Sequence, residues 1–237
     1  MSRMSNPFSH LMKAHDHQVS DDKDNTFPMG SRIFAFVGKK GSGKTSACLS
    51  LLTNKKSPFH KYFNNILLCS PSAPHDDKMK PLWEETVQEG KYFDALNEKT
   101  AEEIRDTLIA LNEMNAKKKN PQNLLILDDC THSFPTGRKA SHISGLFTNS
   151  RHLKCSIWVI THKYTSMPPI FRNQLDCLFL YKTNSKNELE SLKKDLPFDE
   201  DELELNFKTA TNEPHGFLYI NMTGHNPKMY NKRFEEL

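Results

Sequence analysis

Eight residues, Gly38-Lys39-Lys40-Gly41-Ser42-Gly43-Lys44-Thr45, constrain this chain more than any other segment. They fit G-x-x-x-x-G-K-[ST], a pattern that carries meaning only when a strand leads in and a helix leads out. Both flanks comply. Arg32–Val37 (RIFAFV) is a short apolar run with β-branched and aromatic residues, the mark of a buried strand, and Lys44–Thr53 reads as a helix. The three glycines permit positive φ and close backbone approach, so successive N–H groups converge on an anion at a helix N-terminus. Lys44 then reaches β- and γ-phosphates as a mobile point charge, and Thr45 places its hydroxyl on Mg²⁺. A plain glycine-rich turn needs neither Lys nor Thr at those offsets. The candidate nucleotide-binding set is therefore Gly38, Lys39, Lys40, Gly41, Ser42, Gly43, Lys44, Thr45 and Ser46, with ATP and Mg²⁺ as the expected ligands.

The pattern continues downstream. Asn65–Cys69 (NILLC) is a second strand, closed by Ser70, Pro71 and Pro74. Thr100–Met114 predicts an amphipathic helix with Ala101, Ile104, Leu108 and Leu111 on one face and a Thr100–Glu103 capping box. Asn123–Leu127 (NLLIL) is a third strand and runs into Asp128-Asp129. Ile143, Leu146 and Phe147 mark a helix; Cys155–Ile160 and Asp176–Tyr181 are further strands. Ser185 with Glu188 caps a helix that stops at Pro197. Gly216–Asn221 and Lys228–Phe234 pair as a hairpin. Short, nearly all-apolar strands alternating with helices mean an α/β fold, its mostly parallel sheet covered by helices on both faces.

A phosphate loop needs a second metal anchor. Asp128 sits at a strand's carboxyl end, where a carboxylate orients Mg²⁺ through water, and Asp129 is placed to polarise an attacking water as general base. The whole strand and long helix between the two motifs suggest a sheet in which another strand separates them. That order favours hydrolysing, motor-like enzymes over small-molecule kinases. Thr161 closes the next strand as a candidate γ-phosphate sensor, followed by His162. Arg151 and Arg172 are the arginines placed to meet a phosphate, in trans across a subunit boundary.

Composition excludes several classes. No apolar run exceeds five or six residues, against the roughly 20 of a membrane span. Met1–Asn6 lead into no signal-type apolar stretch. Five Cys with no CxxC or CxxH pair argue against a disulfide framework or zinc finger and for a reducing compartment. Net charge is +3, but it is polarised: Thr136–Arg172 holds six bases and no acid, whereas Thr183–Asn206 holds three Lys against eight acids. The basic stretch predicts an anion-binding face, and Arg138 with Lys139 sit on a turn suited to project at DNA phosphates. Residues 1–28 read as a flexible polar arm, 29–182 as the ATPase core, and 183–237 as a helical and β-hairpin extension. His10, His15 and His17 in the arm lack the partners of a metal site.

GKKGSGKTS at Gly38–Ser46, LLILDDC at Leu124–Cys130, SRHLKCSIWVITHKY at Ser150–Tyr164 and MPPIFRNQLD at Met167–Asp176 resemble the genome-packaging ATPases of large double-stranded DNA viruses and virophages, within the FtsK–HerA superfamily of P-loop motors. The resemblance runs from about Arg32 to Tyr181. It implies a RecA-like P-loop NTPase that forms a homo-oligomeric ring and drives double-stranded DNA, without sequence preference, into a preformed capsid. It further implies contact with capsid vertex proteins, and residence in the host cytoplasm at virus assembly sites or on the virion. Lys44, Thr45, Asp128 and Asp129 take the two Walker roles by this resemblance, Thr161-His162 the sensor, and Arg151 or Arg172 the arginine finger. Two positions depart from the pattern: many superfamily members carry Glu at Asp129 and Gln at His162. A nucleotide kinase and a non-hydrolysing assembly scaffold are the alternative functions.

Overall fold

The computed structural model describes residues 26–118, 120–135, 141–223, 227–232 and 234–237. One eight-stranded sheet organises them. Its strands are β1 (Ile33–Val37), β2 (Asn65–Cys69), β3 (Tyr92–Phe93), β4 (Asn123–Asp128), β5 (Cys155–Thr161), β6 (Cys177–Tyr181), β7 (Phe217–Asn221) and β8 (Lys228–Tyr230). The helices are α1 (Lys44–Thr53), α2 (Lys80–Gln88), α3 (Glu98–Met114), α4 (His142–Thr148), α5 (Pro169–Arg172), α6 (Lys186–Asp195) and α7 (Glu200–Ala210). Strand order is β3-β2-β4-β5-β1-β6-β7-β8. All pairings from β3 to β6 are parallel, and β7 and β8 add on antiparallel. The strand bearing the phosphate loop and the strand ending in Asp128 are separated by β5, as the spacing of the two motifs suggests.

Each central strand is apolar on both faces because helices cover both. Along β1, Ile33, Ala35 and Val37 point into a core shared with α3, α4, α6 and α7. Phe34 and Phe36 point the other way, into an aromatic core under α1 and α2. There Phe34 stacks on Trp158 at 5.5 Å and Phe36 on Phe179 at 4.4 Å, each pair adding about 0.5–1.5 kcal/mol beyond its buried area. These contacts fix the level of β1 against β5 and β6, and hence where the loop after Val37 begins. All five cysteines are buried and unpaired.

Several features go beyond the sequence pattern. The α3 helix starts at Glu98, not Thr100, because Asn97 caps it: its Oδ1 accepts from the Thr100 backbone N–H at 3.0 Å. Asparagine ranks with the best N-caps, so the Thr100–Glu103 box is overtaken three residues upstream. Between 75 and 99 the chain forms α2 and β3, which the sequence pattern does not announce. Residues 183–237 supply α6, α7 and the β7–β8 pair; β7 pairs with β6 along its whole length, and both helices share the main core. Finally, Phe27 is buried, 4.8 Å from the Phe234 ring and 5.1 Å from Tyr219, so the core begins before residue 29. Residues 1–25 with their three histidines, and the Arg138-Lys139 turn, lie outside the described residues.

Candidate nucleotide site

The site is assembled at the carboxyl ends of β1, β4 and β5, with β2 contributing from the side. Gly41 and Gly43 adopt φ of 78° and 105°, left-handed values that disfavour a side chain, and Gly43 caps α1. Gly38 is glycine for space: a Cβ there would lie 2.5 Å from Cβ of Tyr181. Its N–H donates to the Thr161 carbonyl at 3.2 Å, docking the loop onto β5. Lys44 is buried, and its Nζ donates to the carbonyls of Gly38 (2.6 Å) and Lys39 (3.1 Å). Burial lowers the pKa of this ammonium, and the charges of Asp129 and Asp128 partly offset that.

Asp128 is 5% exposed. Its Oδ2 accepts from Ser70 Oγ at 2.9 Å and Ser72 Oγ at 3.1 Å, both just beyond the end of β2. Burial raises its pKa, the neighbouring Asp129 adds to this, and the two serine hydrogen bonds pull it back down. Asp129 has φ 53°, a left-handed conformation that costs a non-glycine residue about 1–2 kcal/mol. Its backbone N–H still bonds to the Ile160 carbonyl at 3.1 Å, so the ladder persists while the chain turns. The turned carboxylate meets His162, with Oδ1 3.2 Å from Nε2. The other ring nitrogen, Nδ1, lies 3.5 Å from Lys44 Nζ. One imidazole thus spans the lysine of the phosphate loop and the second acid.

The cavity over these groups measures about 610 Å³ and opens to solvent. Lys40, Gly41, Gly43, Lys44, Thr45 and Ser46 line one wall; Asp128, Asp129 and His162 form the floor; Ser72 and the segment His75–Lys78 form the opposite wall. Lys78 reaches across to Ser46 Oγ at 3.0 Å. Gly38, Lys39 and Ser42 build the stem of the loop rather than its lining. Behind it, His215 in the connection to β7 has its Nδ1 3.1 Å from the Ser42 carbonyl.

Thr161, the candidate sensor, does not line the cavity. It is 1% exposed, and its hydroxyl lies 3.1 Å from that of Thr131, away from the cavity. Side chains alternate along a strand, so His162 is the residue β5 delivers to the site. Arg172 is likewise committed elsewhere: it pairs with Asp195 at 2.9 Å, lies 4.9 Å over the Tyr164 ring, and its side chain is 11% exposed. Its guanidinium is thus held within its own chain. Arg151 is exposed, in the turn that enters β5 at the end of the sheet away from the cavity. Ser70, Ser72, Lys78 and His215 have no sequence motif. The serines carry a weak signal, since they follow a strand that pairs directly with the strand ending in Asp128.

A parallel sheet with an intervening β5, a lysine-bearing glycine loop capping α1 and paired acids after β4 define a P-loop NTPase. Within that class, the chain belongs to the poxvirus A32 protein family, whose model matches residues 23–206. Among curated relatives, protein 075L of Invertebrate iridescent virus 6 is 23% identical over 202 residues, covering 80% of this chain and 69% of its own. Protein 088R of Invertebrate iridescent virus 3 is 24% identical over 156 residues, 66% of this chain and 55% of its own. The chain thus spans between half and about two-thirds of these relatives. Among solved structures, the genome packaging NTPase B204 of Sulfolobus turreted icosahedral virus 2 in complex with AMP superposes with a TM-score of 0.61. It is 20% identical, and the match covers 85% of this chain and 98% of B204. Its complex with ATP-gammaS gives a TM-score of 0.59 at 19% identity, covering 84% and 96%.

Proposed function

We propose that this chain is an ATP-driven motor that moves double-stranded DNA into a preformed viral capsid. One observation carries the reading: a single cavity holds a phosphate loop with its lysine, a buried carboxylate anchored by two serines, and a second carboxylate joined to that lysine through one histidine. Membership of the poxvirus A32 family supports it, as does the superposition on nearly all of B204, described as a genome packaging NTPase.

In this reading Lys44 exchanges the carbonyls of Gly38 and Lys39 for phosphate oxygens. Asp129 accepts the proton of the attacking water, and His162 holds that carboxylate in line. Thr45 and Asp128 would hold Mg²⁺, which neutralises phosphate charge when bound. The residues fit it: Thr45 and Asp128 line the same cavity, and both serine bonds fall on Oδ2 of Asp128, not on Oδ1. We place the protein in a homo-oligomeric ring, with Arg151 offered to the neighbouring site, docked on capsid vertex proteins at assembly sites in the host cytoplasm. No helix of the described residues is long and apolar enough to cross a membrane.

Phosphate release measured with and without duplex DNA tests the assignment. A kinase releases little phosphate without an acceptor, and a scaffold none. Lys44→Ala abolishes nucleotide binding, whereas Asp129→Asn binds ATP and loses roughly 10²–10⁴-fold in turnover, the worth of a positioned general base. Hydrolysis by Asp129→Asn at the parental rate removes Asp129 from that role.

A further inference from the structure

The connections entering the parallel strands from the end opposite the nucleotide cavity are strongly basic. Residues 54–64 before β2, 115–122 before β4 and 149–154 before β5 contain no Asp or Glu. They carry Lys55, Lys56, Lys61, Lys117, Lys118 and Lys154, all exposed. Among the described residues none of these six ammonium groups forms an ion pair. The flanking acids Asp176 and Glu89 are already paired, with Arg32 and Lys91. Glu113, in the last turn of α3, leaves the balance strongly positive.

The sheet brings these loops together. Asn65 of β2 is in register with Asn123 of β4, and Asn123 with Cys155 of β5, adjacent strands lying about 4.8 Å apart. The loop from α1 arrives over one face, the loops from α3 and α4 over the other. A chain of amides stiffens the floor beneath them. Lys91 Nζ donates to Asn65 Oδ1 (2.9 Å), Asn65 Nδ2 to Asn123 Oδ1 (2.8 Å), Asn123 Nδ2 to Asn112 Oδ1 (3.0 Å), and Asn112 Nδ2 to the Leu153 carbonyl (2.8 Å). The cations therefore ride on a rigid edge. They do not serve their own subunit's nucleotide, because the ten residues of α1, about 15 Å of helix, separate Lys55 from the phosphate loop.

We propose that this end of the sheet grips the phosphate backbone of duplex DNA without reading its sequence. The inference rests on the motor reading above and adds where the DNA is held. Duplex DNA presents one negative charge per about 1.7 Å of axis, a density that occupies several separate lysines at once. Single strands favour exposed aromatic platforms. Here Phe59 is buried, and the Tyr62 hydroxyl is engaged by the Gly30 N–H at 3.0 Å.

The test uses the full chain and a fluorescently labelled mixed-sequence duplex, with binding followed by anisotropy across a salt series. Each phosphate contact contributes roughly 0.9 to the slope of log affinity against log salt. Lys55→Ala/Lys117→Ala/Lys154→Ala is expected to make the slope shallower by about 2.7, three such contacts, with DNA-independent ATP hydrolysis unchanged. The matching Lys→Arg triple retains the parental slope. An unchanged slope in the alanine triple overturns this surface while leaving the motor reading intact. A parental protein that hydrolyses ATP yet binds duplex at no salt concentration overturns both. If sedimentation shows that the alanine triple has lost self-association, the lysines meet the acidic α6–α7 segment of a second copy, and the DNA assignment fails.

Discussion

Replacing Ser70 by Ala isolates the least visible part of the site. Ser70 is fully buried; its Oγ donates to Asp128 Oδ2 at 2.9 Å and accepts from the Ala73 N–H at 3.1 Å. The substitution removes a hydrogen bond to a charged acceptor, about 1.5–3 kcal/mol, and strands a buried donor, about 1–3 kcal/mol. The two losses overlap through local relaxation, so about 3 kcal/mol is the expected cost. At roughly 2–4 °C per kcal/mol for a chain of this size, Tm falls by about 6–12 °C. The pH dependence gives a second readout. Burial and Asp129 hold the Asp128 carboxyl above its ordinary range, and Ser70 and Ser72 oppose them. The folded chain therefore keeps a proton there through a pH window in which the unfolded chain has lost it, and stability falls as pH rises through that window. Without Ser70 the carboxyl moves higher still. The acid limb of hydrolysis shifts to higher pH, and the stability lost on raising the pH increases. Scanning calorimetry and a pH series of phosphate release measure both. A lowered Tm with a superimposable pH profile would show that Ser70 only packs and does not hold the Asp128 charge.

Two further substitutions address the loop and the arginines. Gly38→Ala sets a methyl 2.5 Å from Tyr181 Cβ and 2.9 Å from Ser42 Oγ; the strand must shift, and nucleotide affinity measured by titration calorimetry drops at least tenfold. Arg172→Ala loses its ion pair and ring contact at a cost of about 2 kcal/mol, read as a lower Tm, while turnover below the melting range stays near parental. Arg151→Ala mixed with Lys44→Ala does regain turnover, and its failure to do so at every ratio would remove Arg151 from the neighbouring site.

The parts of the fold legible in the sequence are those governed by local rules. The strand ends at Val37, Cys69 and Tyr181, and α1 at Lys44–Thr53, follow from apolar runs, glycine punctuation and the phosphate-loop template. Ser185 is an N-cap as its spacing with Glu188 suggests, though the Glu188 side chain turns away to hold the backbone N–H of Tyr164 at 2.6 Å. What escaped depends on partners distant in sequence. No periodicity says that Ser70 will face Asp128, 58 residues on. Nor does the segment Met167–Asp176 show that Arg172 will find Asp195 and Tyr164 rather than a nucleotide. Choosing between Thr161 and His162 needed only strand parity, but parity requires knowing which face of β5 meets the cavity, and an all-apolar strand conceals that.

The position of β5 has a mechanical consequence. It is clamped by continuous hydrogen-bonded ladders to β1 on one side and β4 on the other, and slipping by one residue would turn every side chain to the wrong face. Seven residues long, it spans about 23 Å. At its foot is Lys154, on the basic edge; at its tip is His162, in contact with both Lys44 and Asp129. In engineering language β5 is a short rod joining the basic edge to the floor of the cavity. Under the motor reading proposed above, a load applied at the foot would reach the imidazole through the paired strand itself, with no loop to cross between Cys155 and Thr161.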